Sequence, residues 1–168
     1  MNSYERILVT GGTGMVGSAL QRVIPNGIFI SSKDCDLRGA RSTRKIIEAY
    51  RPDAVIHLAA KVGGIKANME NLGDFYRENI LINTNVLESA HINNVKKVVS
   101  LLSTCIYPNE VTYPLTEEQI HNGPPHRSNY AYAYAKRMLD IQSQAYREQY
   151  GCNFITAVPN NLFGENDN

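Results

Sequence analysis

A tyrosine and a lysine stand four residues apart, Tyr132 and Lys136, and together they could transfer a proton. Residues 128–150 read as one helix, where a rise of about 1.5 Å per residue places both side chains on one face. A lysine charge near a phenol favours the phenolate, so the pKa of the tyrosine could fall from about 10 toward 7. Such a tyrosine can give a proton to a carbonyl oxygen while hydride reaches the carbon. The alternative is an ordinary amphipathic helix in which Tyr130, Tyr132 and Tyr134 simply pack.

A hydroxyl and a thiol, Ser103 and Cys105, follow an apolar run at residues 98–102 that reads as a buried strand. Open α/β sheets place their chemistry at the carboxyl ends of the strands, so both side chains are candidates for a site. For Cys105 the alternative is a buried structural thiol. The polar stretch at residues 108–127 is long for a connection, and loops of that length are usually functional.

Four glycines follow a β-branched run at residues 6–10, and a helical pattern over Met15–Val23 begins before the last of them: Gly11, Gly12, Gly14 and Gly17. Strand, glycine turn and helix are the context of a dinucleotide-binding fingerprint, in which a pyrophosphate approaches the free amides at the start of the helix. The glycines fit two registers, Gly12-x-Gly14-x-x-Gly17 and Gly11-x-x-Gly14-x-x-Gly17. We therefore expect this turn to bind a nucleotide.

The end of the second strand, at residues 28–31, bears on the choice of cofactor. A fold that prefers NAD usually places an acidic residue there to bind the ribose 2′-hydroxyl. This chain has Ser31, Ser32 and Lys33 before Asp34. A cation and two hydroxyls suit a 2′-phosphate better, which favours NADP. Because of Asp34, NAD remains an alternative cofactor. Lys33 could also be an incidental residue of a solvated turn.

Strand-like and helical patterns alternate along the chain, which is typical of a doubly wound parallel sheet. The strands are expected at residues 6–10, 28–31, 54–58, 98–102 and 154–158, and the helices at residues 15–23, 42–50, 74–94 and 128–150. Ser42 is a plausible cap for the second helix. His57, inside the third strand, is expected to be a hydrogen-bonded core residue. The sequence thus predicts one Rossmann-type domain over residues 1–168, with three layers, α/β/α.

Composition excludes several classes of protein. The chain has 168 residues, 43% of them hydrophobic, with 17 basic and 16 acidic residues, so no net field favours nucleic acid or a membrane surface. We expect no signal peptide and no membrane span, since no apolar run approaches the length needed. The three cysteines, Cys35, Cys105 and Cys152, match no zinc pattern, and a reduced, cytoplasmic location fits best.

Four motifs in order resemble the extended short-chain dehydrogenases/reductases: TGGTGMVG at residues 10–17, LAA after the third strand, Ser103 after the fourth, and Tyr132-x-x-x-Lys136. More narrowly, five segments resemble the family of GDP-L-fucose synthases: LAAKVGGI, STCIYP, HNGPPH, YAYAKRM and PNNLFG. The second resemblance implies an NADPH-dependent enzyme that converts GDP-4-keto-6-deoxy-mannose to GDP-L-fucose by two epimerisations and a reduction.

The resemblance also implies roles for individual residues. Tyr132 would donate a proton to the C4 carbonyl, and Lys136 would hold the nicotinamide ribose and lower the pKa of the tyrosine. Ser103 would hydrogen-bond the reacting oxygen, and Cys105 would be an acid/base of the epimerisations. NADP would contact the glycine turn, the end of the second strand, the small residues after the third, the catalytic pair and the segment after the fifth. These positions are Gly11, Thr13, Gly14, Met15, Val16, Gly17, Ser32, Lys33, Leu58, Ala59, Ala60, Tyr132, Lys136, Asn161 and Leu162. No metal is implied.

The resemblance covers about half of the family's protein. The family's second acid/base, a histidine, and most of the GDP-sugar pocket would lie beyond residue 168, so we expect a cofactor half that does not turn over alone. The full-length enzyme would bind a GDP-sugar, and two long helices, at residues 74–94 and 128–150, would pair with a second copy into a homodimer. Two alternatives are another nucleotide-sugar epimerase or reductase, which needs no Cys105, and a non-catalytic dinucleotide sensor.

Overall fold

Strands and helices alternate over residues 4–165, the part of the chain that the computed structural model describes. The strands are β1 (Ile7–Thr10), β2 (Ile28–Ile30), β3 (Ala54–His57), β4 (Lys97–Leu101) and β5 (Phe154–Ala157). The helices are α1 (Met15–Val23), α2 (Ala40–Tyr50), α3 (Ile65–Glu70), α4 (Leu72–Ile92) and α5 (Tyr130–Tyr150). No helix in this part of the chain is long and apolar enough to cross a membrane.

The five strands form one parallel sheet in the order β2-β1-β3-β4-β5. Parallel neighbours need crossover connections, and the helices supply them. Thr10 pairs with His57 and His57 pairs with Ser100, so the carboxyl ends of the central strands lie level. The predicted doubly wound Rossmann-type fold is confirmed.

The core lies on both faces of the sheet. Leu8, Val55, Val98 and Phe154 are fully buried, one from each of four strands. The helices contribute buried side chains that include Val86, Leu87 and Leu139. Strands covered on both faces are almost wholly apolar, which is why the runs were visible in the sequence. Each such side chain contributes about 1.5–3 kcal/mol through its removal from water.

Three predicted helix starts are wrong, those of α2, α4 and α5, and α5 begins at Tyr130 rather than at residue 128. Helix α2 begins at Ala40, and Ser42 is not its cap, because its hydroxyl donates to the carbonyl oxygens of Asp36 (2.7 Å) and Gly39 (2.9 Å). Helix α4 begins at Leu72 rather than at residue 74, and α3 precedes it. The backbone leaves the helical conformation at Asn71, whose side chain donates to the Ala67 carbonyl at 3.0 Å and ends α3.

His57 connects four elements through a buried chain of hydrogen bonds. Its Nδ1 lies 2.8 Å from the Thr10 hydroxyl on β1, and its Nε2 lies 3.1 Å from Asn83 Oδ1 on α4. The Asn83 amide nitrogen in turn donates to the Ala135 carbonyl on α5 at 3.3 Å. Burial, with the Lys136 charge as a second cause, lowers the pKa of His57 to about 3. The expectation of a hydrogen-bonded core histidine is confirmed.

Candidate functional site

A cleft of about 920 Å³ opens at the carboxyl edge of the sheet. The glycine turn after β1, the loop after β2 and the small residues after β3 form its walls, and Leu101 at the end of β4 also lines it. This edge is where open α/β sheets bind their ligands.

The glycine turn runs close to the β3 loop and leaves no room for side chains. Gly11 has φ +73°, and a side-chain carbon there would lie 2.9 Å from the Ala59 nitrogen. A carbon on Gly17 would collide with the Gly11 carbonyl oxygen. Gly14 precedes α1 without a side-chain cap, so the first amides of the helix face outward. A narrow backbone cradle with free amides fits a pyrophosphate.

Ten of the predicted cofactor residues line the cleft: Gly11, Thr13, Gly14, Met15, Val16, Gly17, Ser32, Leu58, Ala59 and Ala60. Lys33, Asn161 and Leu162 do not line it. Asn161 and Leu162 are exposed and follow β5 without regular structure. Lys136 is adjacent to the cleft, because its amine donates to the carbonyl of Leu101 at 2.7 Å.

At the end of β2, the carboxylate of Asp34 is hydrogen-bonded within its own turn. Its carboxylate accepts hydrogen bonds from the backbone amide and the hydroxyl of Ser31, each at 2.8 Å. These bonds hold the pKa of Asp34 below its ordinary value. Lys33 is exposed and forms no ion pair with any residue in the 4–165 range. Within residues 4–165, the charged side chain at the end of β2 that has no ion-pair partner is therefore that of Lys33, a cation.

Sequence reasoning missed a network of ion pairs along the cleft. Arg38 lies 2.9 Å from Asp36 and 3.0 Å from Glu78, and Glu78 also lies 2.7 Å from Lys61. The rule that chemistry follows the strands could have pointed to Asp36 and Arg38, which come soon after β2. Glu78 lies in the middle of a long helix and gave no such signal. Because Asp36 and Glu78 neutralise Arg38, this arginine is not a free anion-binding group.

The four predicted catalytic residues come together at the end of β4. Ser103 precedes a 3-10 turn, Thr104–Ile106, that carries Cys105, and α5 packs against this turn. Tyr132 and Lys136 share one face of α5, with the lysine nitrogen 5.9 Å from the centre of the tyrosine ring. The spacing argument for these two side chains is confirmed.

The pKa of Tyr132 is raised, which is opposite to the expected lowering. Burial is the main cause, and the charge interaction with the Cys105 thiol adds to it. The Lys136 amine is bound to the Leu101 carbonyl, and burial lowers the pKa of that amine to about 8. At neutral pH the phenol therefore keeps its proton, as a proton donor must.

Cys105 is partly buried, and burial raises the pKa of its thiol. The neighbouring Ser103 hydroxyl and the positive charges of Lys136 and Arg137 act in the other direction. Burial and the neighbouring polar and charged groups therefore shift the pKa of the thiol in opposite directions. Within residues 4–165 no three His, Cys, Asp or Glu side chains lie close enough to hold a metal ion.

The chain is similar to a group of enzymes that act on nucleotide sugars. The profile of the NAD dependent epimerase/dehydratase family matches residues 7–168. GDP-L-fucose synthase of Dictyostelium discoideum is 49% identical over 99% of this chain and 54% of its own length. The probable GDP-L-fucose synthase of Drosophila melanogaster is 49% identical over 98% of this chain and 53% of its own. This chain spans about half the length of the curated relatives it matches.

A solved structure shows the same fold. The crystal structure of a GDP-L-fucose synthetase from Naegleria fowleri bound to NADP superposes with a TM-score of 0.90 and 45% identity. The match covers 100% of this chain and 57% of that one.

Proposed function

The chain belongs to the NAD dependent epimerase/dehydratase family, and from this premise we propose that it is the cofactor-binding half of a GDP-L-fucose synthase. Such an enzyme epimerises GDP-4-keto-6-deoxy-D-mannose and reduces it with NADPH. The observation that carries the proposal is the meeting of Ser103, Cys105, Tyr132 and Lys136 at one sheet edge, beside a glycine-lined cleft.

NADP is the proposed cofactor. The amides at the start of α1 and the cradle around Gly11 and Gly17 suit its pyrophosphate. Ser32 lines the cleft, and its exposed neighbour Lys33 would bind the 2′-phosphate. Reduced NADP supplies the hydride. Lys33 is the discriminating group in this proposal, since Arg38 is neutralised by its two carboxylates and Asp34 is bound to Ser31.

In the proposed reduction Tyr132 is the proton donor, and Ser103 and Lys136 assist it. Tyr132 holds its proton at neutral pH and would give it to the carbonyl oxygen, while Ser103 would hydrogen-bond the same oxygen. Lys136 sits beside the cleft through its bond to Leu101 and would contact the ribose of the cofactor. A positioned acid of this kind typically contributes a factor of about a hundred to ten thousand to the rate.

The epimerisations assign a role to the thiol. A ketone acidifies the C–H bonds on its two flanking carbons, and Cys105 lies within interaction range of Tyr132, the proposed donor to that ketone. A related nucleotide-sugar epimerase without this double chemistry has no need of a cysteine here. The position of Cys105 therefore favours the GDP-L-fucose synthase reaction over the sibling reactions.

We further propose that two copies associate through α4 and α5. The two helices pack against each other, and their outer faces expose Tyr76, Tyr130, Tyr134 and Met138 around a hollow of about 450 Å³. Apolar surface of this kind on paired helices suits a four-helix bundle about a two-fold axis.

The cofactor proposal is tested by calorimetric titration of residues 1–168 with NADP and with NAD. NADP should bind about ten- to a hundredfold more tightly, because a charge-assisted contact contributes about 1.5–3 kcal/mol. Lys33→Ala and high salt should both reduce the difference between the affinities for NADP and NAD. Lys45→Ala, which removes an exposed lysine on α2, should leave that difference unchanged. Equal affinity for the two cofactors in the wild-type chain would refute the assignment. Turnover by residues 1–168 alone is expected to be negligible.

A further inference from the structure

Two consecutive cations on α5, Lys136 and Arg137, are almost completely buried, with exposed fractions of 2% and 3%. Neither lies within ion-pair distance of a carboxylate in the described part of the chain. Both donate to neutral backbone carbonyls instead. Lys136 already has a place in the proposed site. Arg137 has none.

The bonds of Arg137 connect the two segments around Cys105. Its Nε donates to the carbonyl of Ile106 at 2.6 Å, and Ile106 follows Cys105 in the 3-10 turn. Its Nη1 donates to the carbonyl of Gly123 at 2.7 Å, in the long loop before α5. That loop is also pinned at its ends, where the Asn109 amide donates to the Pro124 carbonyl at 2.9 Å. One guanidinium thus holds the cysteine turn and the loop together.

A buried charge without a counter-ion is costly even after the protein relaxes. The third nitrogen, Nη2, is buried with no hydrogen-bond partner in the described part of the chain. Holding two carbonyls does not require a full positive charge, since neutral donors can do so. The charge is useful where a nearby group becomes negative, and Cys105, which can lose a proton, lies in the turn that Arg137 holds.

We propose that Arg137 is a positioning residue for Cys105, fixing the turn that carries the thiol and holding a buried positive charge next to that turn. The proposal rests on the proposed function for the acid/base role of the thiol, but not for the contacts themselves. Lys136 and Tyr132 face Cys105 from the same helix, and Ser103 faces it from the end of β4. The positive charges of Lys136 and Arg137 favour the thiolate form of Cys105, and burial opposes it.

The test is the rate at which iodoacetamide alkylates Cys105, resolved from Cys35 and Cys152 by peptide mass spectrometry. Only the thiolate reacts, and one pKa unit changes its fraction about tenfold below the pKa. Removal of a cation close to a thiol raises the pKa of that thiol. Arg137→Met and Arg137→Gln should therefore react severalfold more slowly at Cys105 at neutral pH, and Arg137→Lys, which retains a charge, should stay closer to wild type.

A purely structural role predicts the opposite sign. If Arg137 only held the loop closed, its loss would expose Cys105 and make it react faster. Arg147→Met is the matched control, since Arg147 lies on the same helix and also donates to a carbonyl, that of Phe154 at 2.6 Å. It should leave the rate at Cys105 unchanged. An equal or faster rate in the neutral Arg137 variants overturns the proposal.

The wild-type chain provides a second test that does not depend on the folding of a variant. Lys136 and Arg137 together should favour the anionic reagent iodoacetate over neutral iodoacetamide, so the ratio of the two rates should be higher at Cys105 than at Cys152. An equal or lower ratio overturns the proposal. NADP titration of the wild-type chain keeps the two questions apart, because absence of NADP binding there contradicts the proposed function and leaves the thiol result standing.

Discussion

Tyr132 and Cys105 are neighbours that burial affects in the same direction. The pKa of each is raised, so both carry their protons at neutral pH. The tyrosine is thereby ready to donate, whereas the cysteine must lose its proton before it can act as a base. The two side chains therefore divide the proposed chemistry, reduction at Tyr132 and epimerisation at Cys105.

Substitution at the two positions should separate these reactions. In a chain that also carries the part of the relatives that this sequence does not cover, Tyr132→Phe should reduce about a hundred to ten thousand times more slowly. It should still exchange deuterium from solvent at the carbons beside the ketone. Cys105→Ser should lose that exchange at one or both carbons, because a serine hydroxyl is far too weak an acid. Exchange is measured by mass spectrometry without NADPH oxidation, and wild-type exchange in Cys105→Ser would make the thiol structural.

Residue types and spacing were enough to bring these side chains to attention, and not enough to give their ionisation. The four-residue interval put Tyr132 and Lys136 on one face, as found. The sign of the tyrosine's pKa shift was wrong, because it depends on burial and on where the lysine nitrogen is bound. Glu78 and Arg137 were missed for a related reason. Their partners lie on other elements, and only the fold brings them together.

At the scale of elements, the hydrogen-bond chain through His57 joins β1, β3, α4 and α5. The histidine is neutral at neutral pH because burial lowers its pKa, and its Nε2 then donates to the amide oxygen of Asn83 while its Nδ1 accepts from the Thr10 hydroxyl. The pKa of His57 is about 3 in the folded chain, against about 6.5 when unfolded. Between these values only the unfolded chain takes up the proton.

The stability contributed by a neutral His57 should therefore be fully present above about pH 6.5 and be lost as the pH falls toward 3. The slope from this group is about 1.4 kcal/mol per pH unit. His57→Gln, which can hydrogen-bond and does not titrate, should remove that part of the slope. Denaturant unfolding of both chains at several pH values measures the difference. If the free energy of unfolding changed with pH equally in the wild type and in His57→Gln, the proposed contribution of His57 would be contradicted.

Element types could be read from the sequence, and element boundaries less well. Buried strands such as β3 and β4 stand out as apolar runs, and the glycine turn marks the start of α1. Ser42 misled because a serine near a helix start usually caps it, whereas here its hydroxyl serves the preceding loop. Helix α3 is too short, at 6 residues, to show a helical period.

At the scale of the whole molecule, the proposed dimer makes a direct prediction. Tyr76 lies on the exposed face of α4 beside the hollow and is 45% exposed. Tyr76→Glu should place an unpaired charge in the interface and convert a dimer to a monomer, because a buried unpaired charge is strongly destabilising. Light scattering over a dilution series measures the mass. Tyr113→Glu, in the long loop and 78% exposed, is the control that should leave the mass unchanged. A monomeric wild-type chain would dismiss the interface.

The order of the strands across the sheet has a consequence for synthesis. After β1 and β2 have paired, β3 joins the free edge of β1, and β4 and β5 then each join the strand that precedes them in the chain. Synthesis runs from the N-terminus, so every residue that lines the glycine-lined cleft, up to Leu101, is made before α5. The residues of the proposed nucleotide-binding surface therefore leave the ribosome first, and Tyr132 and Lys136, the proposed proton-transfer pair, follow them.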